Sequence, residues 1–74
     1  MREIMLDLMS TMDAAAMALN AMADELSAAA DCLDGEPVAE AMRGLARRHR
    51  VEALMVQGRL AGLTDDYVEQ FGPM

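Results

Sequence analysis

The sequence has no tryptophan, one tyrosine, one phenylalanine, one histidine and one cysteine. With so few rings, the packing falls to Ala, Leu and Met, which are strong helix formers. The lone Cys32 cannot close an intrachain disulfide, and no Cys/His cluster offers a structural zinc site. Both usual staples of a small domain are therefore missing. At 74 residues, the chain lies near the size below which one core supplies only ~3 to 5 kcal/mol. Oligomerisation is the remaining device, and with 54% hydrophobic residues the composition supplies surface for it.

Basic residues are scarce as well. Thirteen acids against six basic residues, all arginine, give a net charge of −7, which disfavours a direct grip on phosphate backbones. The same balance suits a protein partner with a basic surface, including one that itself binds nucleic acid. A bilayer-spanning segment is also missing. The longest uncharged run, Ala14 to Ala23, is far short of the roughly 20 apolar residues a membrane needs. The first residues carry Glu3 and Asp7 where a secretory leader would be basic. Together with the single thiol, this places the chain in a reducing cytoplasm.

What is present is heptad spacing. Met5, Leu8, Met12, Ala15, Leu19, Met22, Leu26, Ala29 and Leu33 recur at alternating steps of three and four, predicting one helix over about 3–33. Such a helix is roughly 45 Å long, too long for so small a chain to surround. Beside that seam, Met9, Ala16, Ala23 and Ala30 repeat every seven residues and widen it with mostly small side chains, so the helix can contact two neighbours. The turn is placed at 34–36, where Gly35 can adopt left-handed geometry and Pro37 fits a first helical turn. A second, antiparallel helix is expected over about 37–61, with the stripe Val38, Met42, Leu45, His49, Ala53, Val56, Leu60 and Leu63, and with Gly62 as its stop. Thr64 then reads as the N-cap of a short helix over about 65–71 that folds Tyr67 and Phe71 onto the bundle.

The expected fold is all-α, a long antiparallel helical hairpin plus a short C-terminal helix, dimerising into a four-helix bundle. Met5, Met12, Leu19, Leu26, Val56 and Leu60 are the expected dimer interface. Helix 1 is acidic, whereas five of the six arginines lie on helix 2, which favours their pairing. Past His49 a second face becomes apolar with Val51, Leu54 and Met55, which places the half from Val51 to Leu63 at a subunit interface. Val51, Leu54 and Met55 with Asp13, Asp24, Glu25 and Asp31 also form the expected partner-binding set.

Catalytic and ligand-binding patterns are weaker. No Ser, Thr or Cys has a base partner in the sequence, and there is no glycine-rich phosphate loop. Gly58, Gly62, Leu63, Val68 and Phe71 have a spacing that resembles a helix-turn-helix, yet the would-be reading helix carries Asp65, Asp66 and Glu69, which DNA repels. His49 and Glu52 could meet across a dimer as metal ligands, although the arginines around them oppose a cation. Met5, Met9 and Met12 with Cys32 form a soft-metal set, but the methionines lie on or beside the heptad stripe as core fillers. Arg47, Arg48 and Arg50 spread around nearly a full turn, so they pair with acids more readily than they form a patch. The sequence thus predicts a non-enzymatic protein-binding module without a cofactor, an adaptor, antitoxin-like neutraliser or inhibitor. A metal-binding bundle is the alternative.

Overall fold

A computed structural model describes residues 1–73. Two helices pack against each other, α1 (Arg2–Cys32) and α2 (Pro37–Phe71), and the described residues include no strand. The hairpin measures 53 × 15 × 15 Å. Its accessible surface is 5127 Å², against about 4450 Å² for a compact monomer of this mass. The excess follows from the rod shape, which leaves each helix with only one neighbour.

The turn is built as the sequence predicts. The Leu33 amide donates to the Ala30 carbonyl at 3.1 Å and the Glu36 amide to the Leu33 carbonyl at 2.9 Å. Gly35 takes φ 90°, and Pro37 opens α2, where its missing N–H costs no intrahelical bond. No basic residue stands in the last turn of α1, and Arg43 reaches over from α2 to fill that role. Its Nη2 donates to Asp34 at 3.0 Å and to Asp31 and the Ala30 carbonyl at 3.5 Å. A cation thus meets the negative end of the α1 dipole. The hydrogen bond to Asp34, with further help from Asp31, outweighs partial desolvation and raises the pKa of the guanidinium.

The seam between the helices is rotated from the expected one. Met5 and Met12 face inward as anticipated, but the second row is Met9, Ala16, Ala23 and Ala30 rather than Leu8, Ala15, Met22 and Ala29. On α2 the inward row is Ala39, Ala46, Ala53, Leu60 and Tyr67, displacing Val38 and Leu45 to the surface. Size explains the rotation. In the register set by the Arg2–Tyr67 contact, seven-residue steps bring Ala16 opposite Ala53, Ala23 opposite Ala46 and Ala30 opposite Ala39. Alanine against alanine lets the axes approach toward the lower end of the usual ~8 to 10 Å. Leucine or methionine in those layers would hold them apart.

The expected short third helix is not a separate element. Helix α2 continues through Gly62 to Phe71, and Gly72, at φ 89°, ends it. Thr64 is not an N-cap, because its hydroxyl donates to the Leu60 carbonyl at 2.8 Å, as in a helix interior. The heptad accounts for this continuity. Tyr67 lies seven residues after Leu60 and is 2% exposed against Met5 and Met9. A break at Gly62 would throw Tyr67 off the seam, forfeiting more than the ~1 kcal/mol that a mid-helix glycine costs. At this open end Arg2 Nε donates to the Tyr67 hydroxyl at 2.8 Å, and Phe71 lies 5.1 Å from the Tyr67 ring centroid.

Candidate protein-interaction surface

The hairpin buries little large apolar surface. Its buried set is six alanines, Met5, Met9 and Tyr67, and among the described residues no large side chain falls below 2% exposure. Ile4, Leu8, Met17, Met22, Val38, Leu45, Val51, Leu54 and Met55 are instead exposed, from 37% at Leu45 to 67% at Ile4 and Leu54. Isolated exposed leucines are ordinary, but a row of them along a helix is not.

These side chains fall on distinct sides of the hairpin. Setting Ala16, Ala23 and Ala30 of α1 and Ala39, Ala46 and Ala53 of α2 at heptad position a puts Met12, Leu19, Leu26, Met42, His49, Val56 and Leu63 at d. One flank of the seam, position e, is largely polar: Asp13, Asn20 and Ser27 on α1 and Arg43, Arg50, Gln57 and Thr64 on α2. Arg50 bridges the helices here, donating to Asp24 at 3.1 Å and Ser27 at 3.4 Å. The opposite flank, position g, is Leu8, Ala15, Met22 and Ala29 on α1, joined near the turn by Val38 and Leu45 on α2. A shallow groove of about 390 Å³ opens on this flank between Met22, Glu25, Leu26, Ala29 and His49. In its floor the Nδ1 atom of His49 is buried with no hydrogen-bond partner.

The residues expected at the dimer interface have another use. Met5 is buried, while Met12, Leu19, Leu26, Val56 and Leu60 are half-buried along the intramolecular seam. The acids also divide. Asp24 and Asp31 are engaged by Arg50 and Arg43, whereas among the described residues Asp13 and Glu25 form no ion pair, nor do Arg48 and Arg59. Arg47 pairs with Glu40 at 3.4 Å along its own helix.

The proposed metal ligands are not assembled within one chain. Cys32 is exposed beside the turn, whereas Met5, Met9 and Met12 lie toward the other end of α1, roughly 30 Å or more away at the helical rise. His49 is part of the groove while Glu52 is exposed. Among the described residues no three His, Cys, Asp or Glu side chains are grouped to hold a metal. Nor is any described helix long and apolar enough to cross a membrane.

Sequence reasoning expected Tyr67 to pack onto the bundle, as it does, but missed that it does so from the continuous seam of α2, and it missed Arg43 as the tie across the turn. The signal for Tyr67 was present: Ala39, Ala46, Ala53, Leu60 and Tyr67 repeat every seven residues without a gap. Comparison with family models, curated proteins and solved structures finds no match to this chain.

Proposed function

We propose that this chain is a small non-enzymatic protein-interaction module, an adaptor, neutraliser or inhibitor that works in the cytoplasm by offering helical surfaces to other helices. Two copies pair into a four-helix bundle, and the acidic exterior of that bundle meets a partner protein with a basic surface. The observation that carries this reading is the misplacement of apolar surface. Leu8, Met22, Val38, Leu45, Val51, Leu54 and Met55 face solvent while the hairpin's own seam is made largely of alanine. A core that thin gives little stability alone, and covering the exposed rows is the available remedy.

Charge supports the basic partner. Asp13, which forms no ion pair among the described residues, is a better probe than Asp24 and Asp31, whose reversal would open ion pairs within the hairpin. Reversing Asp13 to lysine is expected to weaken binding to a basic partner and flatten its salt dependence, measured by isothermal titration at two ionic strengths. Unchanged affinity in this variant rules out the electrostatic part of the proposal.

A further inference from the structure

We propose that the second copy docks on the flank formed by Leu8, Met22, Ala29, Val38 and Leu45. In this arrangement the two hairpins lie lengthwise with their turns at the same end, so that α1 of each faces α2 of the other. This deepens the dimer reading given above and rests on it.

Three observations select this arrangement. The first is the asymmetry of the two flanks. Helices facing the core of a bundle are apolar at a, d and one of the two flanking positions. Here that flank is g, apolar along α1 and at Val38 and Leu45 of α2 before it turns charged at Glu52, Arg59 and Asp66, whereas e carries Asp13, Asn20, Arg43, Arg50 and Gln57. The second is area. A stable interface takes about 800 Å² from each partner, and the 53 × 15 Å side of the hairpin supplies about that much only if it is covered along its full length. Hairpins crossing at a steep angle would bury far less. The third is charge. Helix α1 carries six acids against Arg2 alone, while α2 balances five arginines, all between Arg43 and Arg59, against Glu40, Glu52, Asp65, Asp66 and Glu69. A two-fold that sets turns at opposite ends lays α1 on α1, acid on acid. The two-fold that sets turns at one end lays α1 on α2, bringing Glu25 to about one helical turn from the level of the partner's Arg48 and Asp7 to about one turn from that of the partner's Arg59. Neither arginine forms an ion pair among the described residues. The apolar turn-proximal halves of the two grooves, with their His49 rings, then close over each other.

The native thiol reports the geometry directly. Cys32 is exposed next to the turn, so spin labels on this residue in the full-length protein lie at one end of the dimer. Double electron–electron resonance is expected to give a separation under about 30 Å, set by the width of the bundle. Turns at opposite ends would give about 45 Å or more, set by the length of α1. In parallel, the mass of Met22→Glu/Leu45→Glu is read by light scattering. Both positions are exposed in the hairpin, so this variant is expected to fall from dimer to monomer at concentrations where the unsubstituted chain is a dimer and to lose helix by circular dichroism with it, whereas Gln57→Glu, exposed on the other flank, is expected to remain dimeric and helical. A dimer that survives both carboxylates, or a long Cys32 separation, overturns the arrangement. A monomeric unsubstituted protein overturns the dimer reading beneath it.

Discussion

Replacing Ala23 by leucine tests the alanine seam. Ala23 is 0% exposed and lies in the layer with Ala46, itself 3% exposed. Three added carbons have no space there, so either the leucine adopts a strained rotamer or the helices part along several layers. Overpacking of this kind costs typically 1 to 3 kcal/mol, about 2 at the centre of a continuous seam. For a domain of this length, each kcal/mol moves the melting temperature by about 4 to 8 °C. Ala23→Leu should therefore melt roughly 8 to 16 °C below the unsubstituted chain. Thermal unfolding followed by circular dichroism at one fixed chain concentration measures this, with Ala21→Leu as the control. Ala21 is exposed, and leucine there should change stability by less than about 0.5 kcal/mol. If Ala23→Leu melts with the unsubstituted chain while Ala21→Leu falls, the seam has been placed on the wrong face of α1.

Other expectations follow from single contacts. Gly58 lies mid-helix with nothing within 4 Å of an added Cβ, so Gly58→Ala should stabilise by about 0.5 to 1 kcal/mol in urea unfolding. Gly35 also has open space but sits at φ 90°, so Gly35→Ala should destabilise by about 1 to 2 kcal/mol in the same assay. Tyr67→Phe keeps the ring but loses the hydroxyl that accepts from Arg2, and should cost about 1 kcal/mol. His49→Leu removes the buried, unpaired Nδ1, and should raise stability by about 1 to 2 kcal/mol; a loss of that size would show that the ring has a partner.

The hairpin was legible because its signals are local. Gly35 and Pro37 mark the turn, and heptad spacing on both sides marks two helices. Which row becomes the seam was harder to read, because α1 carries two apolar rows one position apart. Choosing between Leu8–Ala15–Met22 and Met9–Ala16–Ala23 requires knowing that α2 offers alanine at Ala39, Ala46 and Ala53. That is a property of the pair of helices, invisible in either one. The same limit explains Gly62 and Thr64. Read locally they end one helix and begin another, whereas burial of Tyr67 against Met5 and Met9 rewards continuing through them. Within the candidate surface, the exposure of Val51, Leu54 and Met55 was legible from periodicity. The engagement of Asp24 and Asp31 was not, since it depends on the register that brings Arg50 and Arg43 across.

The central claim is that the hairpin's stability depends on a second chain covering its exposed rows. The most direct test is the melting temperature of the purified chain at concentrations spanning a hundredfold. If folding is coupled to dimerisation, that range adds about 2.7 kcal/mol of mass action and should raise the melting temperature by about 5 to 10 °C. A cooperative transition at the same temperature throughout would show that one hairpin of 8.0 kDa is stable on its own, contradicting the account.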